Sequence, residues 1–215
     1  MFNILCFGDS NTFGTNPAGG RWPLDVRWTG VLQALLGPRY RIIEEGCGGR
    51  TTVFEDEIEQ DKNGRAQLRV ALRSHRPLDL VILMLGTNDM KHRFSLLPGD
   101  IATAAAGLGK LVERYDYGAA YPVPRVLLVS PIEIGEGIST GKIFGFSEDS
   151  VQTSRALAPL FEEKARANGW LYLNAASVAN PSPNDHLHME AEDHRALAQE
   201  LAEIVKGAFE GQAQK

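Results

Sequence analysis

Residues 1–14 read MFNILCFGDSNTFG. Six of the first seven residues suit a buried strand, and the apolar run stops abruptly on Gly8-Asp9-Ser10, with a glycine again at Gly14. A short run without clean polar alternation is what a parallel strand covered on both faces requires. Working outward, runs of the same kind recur at 40–44, 78–85, 125–129 and 170–173. Between them, stretches with helical periodicity fall at 27–36, 64–75, 98–115 and 148–168, and a last one at 190–209. Gly37-Pro38 and Asn168-Gly169 read as helix stops. Strand and helix alternating over short links predict an α/β fold with a parallel sheet and right-handed crossovers. Two stretches break the rhythm. Residues 15–25 are rich in Gly and Pro, and residues 132–147 carry four glycines among Ile and Phe.

The chain has 215 residues, 43% of them hydrophobic, enough for one sizeable core, and no linker or repeat divides it, so one domain over 1–215 is expected. A formal net charge of −5 argues against nucleic acid or an anionic membrane as partner. No apolar run approaches the ~20 residues of a membrane span, and no basic segment leads into a secretory apolar core. Two cysteines, Cys6 and Cys47, are too few for a disulfide framework, so a cytoplasmic location with free thiols is the expectation.

In open α/β sheets, ligands gather beyond the carboxyl ends of the strands. Ser10 stands where the first strand ends, with Asp9 and Asn11 able to hydrogen-bond local backbone. Taken alone, Gly-Asp-Ser is an ordinary turn. A dinucleotide fingerprint, a phosphate loop and a G-x-S-x-G elbow are all absent here. A nucleophilic serine would need a base and oxyanion donors from other parts of the chain. The second strand runs into Gly46-Cys47-Gly48-Gly49-Arg50, where glycines let backbone N–H groups face a ligand. The third runs into Gly86-Thr87-Asn88-Asp89, where a side-chain amide can donate to developing negative charge. Asp185-His186-Leu187-His188 precedes the last helix. His188 could serve as general base with Asp185 fixing its tautomer. Metal binding by Asp185, His186 and His188 competes as a reading, but the set lacks a further His or Cys ligand nearby.

Gly8-Asp9-Ser10, Gly48-Gly49-Arg50-Thr51, Gly86-Thr87-Asn88-Asp89 and Asp185–His188, in that order, resemble the four blocks of the SGNH, or GDSL, hydrolases. They span nearly the whole chain. Stretches such as ILCFGDS, DVRWTGVL and PLDLVILMLGTND look like the arylesterase, acyltransferase and perhydrolase subgroup. The resemblance implies a three-layer α/β/α, flavodoxin-like sheet of five parallel strands. It implies ester hydrolysis without metal or organic cofactor. Its nucleophile, acid and base would be Ser10, Asp185 and His188, and its oxyanion hole Ser10, Gly49 and Asn88. The D-x-x-H spacing selects His188, and in an extended loop His186 would point the other way. Thr15 departs from the tryptophan that some acyltransferases carry.

Short acyl esters are the implied substrates, with transfer to alcohols or peroxide as a further activity. A carbohydrate acetylesterase with the same triad is the alternative. A non-catalytic, flavodoxin-like anion-binding module is the alternative from another class. Phe13, Trp22, Ile132, Phe144 and Phe146 are candidates to line the substrate pocket. Exposed on a monomer, Trp22 in 15–25 and the apolar residues of 132–147 would form a large patch, which predicts a homo-oligomer, a tetramer or octamer; the alternative is that both stretches fold over their own domain as lids.

Overall fold

A computed structural model describes residues 1–140 and 143–209. Five parallel strands, β1 (Phe2–Gly8), β2 (Tyr40–Gly46), β3 (Leu80–Met84), β4 (Arg125–Ser130) and β5 (Leu171–Asn174), form one sheet in the order β2-β1-β3-β4-β5. The helices are α1 (Ser10–Phe13), α2 (Trp28–Leu36), α3 (Gly64–His75), α4 (Pro98–Arg114), α5 (Glu148–Asn168) and α6 (Ala191–Phe209). The spacing predicts an α/β fold with a parallel sheet, and the three-layer α/β/α arrangement is the one the resemblance implies. Each strand sends alternate side chains to opposite faces. Leu5, Phe7, Val81, Leu83, Val126 and Leu128 pack with α3, α4 and α5 through Leu68, Leu72, Ile101, Leu108 and Phe161. Ile4, Cys6, Ile82, Met84, Leu127 and Val129 pack with α2 and α6 through Trp28, Leu32, Leu201 and Val205. Every residue of β3 is buried, which explains its unbroken Leu-Val-Ile-Leu-Met sequence.

The strand order places a topological switch at β1. The chain leaves β1 for β2 on one side and returns to β3 on the other, so the loops after these strands diverge around a crevice at their carboxyl ends. Gly8 is in register with Gly46 on one flank and Met84 on the other, which brings the three loop starts level. Gly46 has a steric reason to be glycine. A Cβ there would sit 2.1 Å from the Phe13 nitrogen, because α1 crosses directly over the end of β2.

The irregular stretch after β4 differs from its expected exposure. Ile132, Ile134, Ile138 and Phe146 are buried in the chain's own core, and only Phe144, 68% exposed, stands out. Residues 141 and 142 of this stretch lie outside the described residues. The glycines let the segment turn back, and Ile134 and Phe146 join the cluster under α5. Among the described residues, no helix is long and apolar enough to cross a membrane.

Candidate active site

Ser10 begins α1, a single turn. Asp9 caps it, its Oδ1 accepting the Asn11 N–H at 3.0 Å, and Gly14 ends it in the left-handed conformation at φ 83°. The first N–H groups of a helix have no intrahelical acceptor. Ser10 is the first residue of the turn, and it lines the cavity at the strand ends.

The Ser10 hydroxyl lies 2.9 Å from His188 Nε2, and His188 Nδ1 lies 2.6 Å from Asp185 Oδ2. The other Asp185 oxygen accepts the Leu187 and His188 backbone N–H groups, both at 2.9 Å. Burial alone would raise the Asp185 carboxyl. Hydrogen bonds from the His188 ring and from these N–H groups outweigh it and hold the carboxyl below its ordinary value. Asp185 therefore stays ionised next to the imidazole, and its bond leaves Nε2 directed at Ser10.

His186 is held apart by a mechanism other than extended-loop alternation. The segment is a tight turn, and His186 itself is left-handed at φ 62°. Its ring stacks on the glycines of the stretch after β4, with Nδ1 3.2 Å from a Cβ position on Gly135 and Nε2 3.3 Å from one on Gly137.

Gly49, at φ 80°, occupies a backbone conformation that favours glycine, and it lines the same cavity as Ser10. Arg50 fastens this loop. Its Nη1 donates to the Gly8 carbonyl at 2.8 Å and also to the Glu45 carbonyl, its Nε donates to Gln67 at 2.6 Å, and its guanidinium covers the Phe7 ring at 4.1 Å. The Asn88 amide donates to the Arg50 carbonyl at 3.2 Å, which ties the loop after β3 to the loop after β2. Asp89 makes a second tie across the same gap, accepting the Thr52 N–H at 3.0 Å and the Thr52 hydroxyl. Complete burial, with the Asp9 charge adding to it, pushes the Asp89 carboxyl up to about 7 against these hydrogen bonds.

The cavity has a volume of about 440 Å³. Ser10, Gly49, Asn88 and His188 all line it, together with Phe144 and Phe146. Phe13, Trp22 and Ile132 do not. Ile132 is packed under α6, the Phe13 ring lies beneath the Arg21 guanidinium, and Trp22 Nε1 donates to the Met189 carbonyl at 3.2 Å. Thr15, Gly48, Ile143 and Leu187 complete the wall along with Glu59 and Lys91. Nothing in the periodicity of the sequence marks Glu59, which sits in an irregular loop. The buried Lys91 ammonium donates to Glu59 Oε1 at 2.6 Å, and Arg93 reaches the same oxygen at 2.6 Å. Asn11, expected to bond local backbone, instead spans the molecule. Its amide donates to the Leu187 carbonyl at 3.2 Å, and its Oδ1 accepts the Met189 N–H at 3.1 Å. These bonds grip the chain on both sides of His188.

The model of the GDSL-like lipase/acylhydrolase family matches residues 6–197. No curated protein matches the chain. Est24, a carbohydrate acetylesterase from Sinorhizobium meliloti, superimposes with a TM-score of 0.90 at 35% identity, covering 97% of this chain and 100% of that one. The aryl esterase of M. smegmatis does so with a TM-score of 0.89 at 36% identity, covering 96% and 99%. With four sequence blocks converging on one crevice and a family match over nearly its whole length, the chain belongs to the GDSL-like lipase/acylhydrolase family of carboxylic ester hydrolases.

Proposed function

We propose that the chain hydrolyses short-chain, acetyl-type esters through an acyl-enzyme on Ser10. The observation that carries this reading is the unbroken hydrogen-bonded line from Ser10 Oγ through the His188 ring to Asp185. His188 Nε2 takes the Ser10 proton as Oγ attacks the ester carbonyl, and Asp185 stabilises the imidazolium that forms. The carbonyl oxygen, now negative, is held by the N–H groups of Ser10 and Gly49 and by the Asn88 amide. His188 then gives its proton to the departing alcohol. Water, activated by the same imidazole, attacks the acyl carbon and returns Ser10 to its free state. An alcohol or peroxide in place of water would complete an acyl transfer. Phe146 and Ile143 narrow the cavity, which favours a short acyl chain.

A second reading, a carbohydrate acetylesterase, draws on Glu59. Lys91 and Arg93 hold one of its carboxylate oxygens, and the other lies 2.9 Å from a Cβ position on Gly49, at the cavity wall. Among the described residues no donor reaches that oxygen, and an acceptor there suits a substrate whose alcohol part carries further hydroxyl groups. The homo-oligomer is retained as part of the proposal on a narrower base, the uncovered Phe144 at the cavity.

Treating the protein with a serine-directed phosphonate and locating the adduct by mass spectrometry tests the shared mechanism. An adduct on Ser10 together with acetate-ester turnover is the expected result. An unmodified, inactive protein would favour the anion-binding module. The ratio of catalytic efficiencies on acetylated sugars and aryl acetates then separates the two esterase readings.

A further inference from the structure

We propose that the groove between α3 and α4 is a binding site for a short linear polyphosphate anion, separate from the ester site. Its cavity, about 630 Å³, is lined by Arg65, Arg69 and Arg73 from α3 and by Lys110 and Arg114 from α4. All five side chains are exposed, and none forms an ion pair with another described residue. The chain as a whole carries 22 basic against 27 acidic side chains, so five cations facing one groove depart from its composition. Like charges four residues apart on a helix repel, and Arg65, Arg69 and Arg73 as well as Lys110 and Arg114 stand at that spacing.

Helix dipoles account for part of the pattern only. Arg73 and Arg114 lie in the last turns of their helices, where a cation is favoured. Arg65 lies in the first turn of α3, where the dipole opposes it, and Arg69 and Lys110 are outside the last turns. The groove is also shaped. Gly107 of α4 faces Arg65, whose Nη2 would lie 3.6 Å from a Cβ there, so the missing side chain leaves the space open.

The spacing points to the ligand. At 1.5 Å rise per residue, the three arginines stand about 6 Å apart over about 12 Å. Guanidinium groups match phosphate oxygens in bidentate geometry. A chain of about three phosphates can lie between the two basic walls. Asp116, just beyond α4, is the acid in the lining, and it would repel a long polymer running past that end. The phosphates could belong to an inorganic chain or to a nucleoside triphosphate, which share this chemistry.

Calorimetric titration of the full chain in about 150 mM salt decides it, with inorganic tripolyphosphate, adenosine triphosphate and orthophosphate as probes. Tripolyphosphate is expected to bind at least tenfold more tightly than orthophosphate. Arg69→Gln and Lys110→Gln should each weaken it at least tenfold. Gly107→Leu, which fills the groove and keeps every charge, should do the same. All three variants should keep wild-type turnover of an activated acetate ester, and Arg69→Gln should melt no lower than wild type because a like-charge contact is relieved. Adenosine triphosphate binding more tightly than tripolyphosphate would assign a nucleoside-borne ligand, and weaker binding an inorganic one. Tripolyphosphate binding no tighter than orthophosphate, or unchanged in Gly107→Leu, would overturn the site. So would a single-stranded oligonucleotide that binds when tripolyphosphate does not. The binding outcomes do not depend on whether Ser10 is the nucleophile.

Discussion

Ser10→Ala should lower turnover of an activated acetate ester by at least about 10⁴-fold without loss of fold, since the hydroxyl's hydrogen bond is to His188. His188→Ala should match it. Normal activity in His188→Ala with loss in His186→Ala would reverse the assignment of the base. Asn88 is proposed to act in the same attack, on the charge that develops. Its amide is expected to grip the oxyanion and not the ground-state carbonyl, so Asn88→Ala should reduce kcat by about 10²–10³ with a smaller change in KM. Steady-state kinetics separates the two, and a change confined to KM would move Asn88 to ground-state binding.

At the scale of elements, the site depends on α1 being fastened to the turn that carries His188. Asn11 does this through the Leu187 carbonyl and the Met189 N–H, both in buried surroundings. Asn11→Ala removes both bonds and leaves two buried backbone groups without a partner, at a cost of about 1–3 kcal/mol. The His188 ring then loses its fixed distance from Ser10, and kcat should fall about 10–10²-fold with KM little changed. Urea unfolding measures the first effect and kinetics the second. A variant equally stable and equally fast would show that Asp185 alone positions the turn. The charged pair of Lys91 and Glu59 belongs to this scale as well, since it pins the irregular loop after Thr52 against the loop after β3.

For the whole molecule, Asp89 should leave a signature in the dependence of stability on pH. Its folded pKa, about 7, is above the unfolded carboxylate value. Between about pH 4 and 7 the native state therefore binds more protons than the unfolded state, and stability falls as pH rises through that window. Asp89→Asn should lose this slope, so that wild type weakens relative to the variant by up to about 3 kcal/mol from pH 4.5 to 8. Parallel denaturant curves for the two proteins would contradict the assignment. Assembly is the second property of this scale. Light scattering at micromolar concentration should give a multiple of the chain mass, and charges placed at Phe144 should disturb it. A monomer of 23.5 kDa would end the oligomer proposal.

The sheet was legible in the sequence because strands buried on both faces must be short and apolar, and helices covering them must keep one apolar stripe. Ser10, Gly49, Asn88 and His188 stood out only through the resemblance of four blocks taken together, since each block alone uses ordinary turn residues. Only the tertiary structure decided what these turns face. The switch at β1 gathers loops separated by up to 178 residues, and the bond from Ser10 to His188 is the result. The lining of the cavity was out of reach for the same reason. Ile132 and Phe146 have similar apolar character in one stretch, yet Ile132 lies under α6 and Phe146 lines the cavity. Local sequence records how buried a side chain should be, whereas the direction in which the backbone turns decides which space it fills.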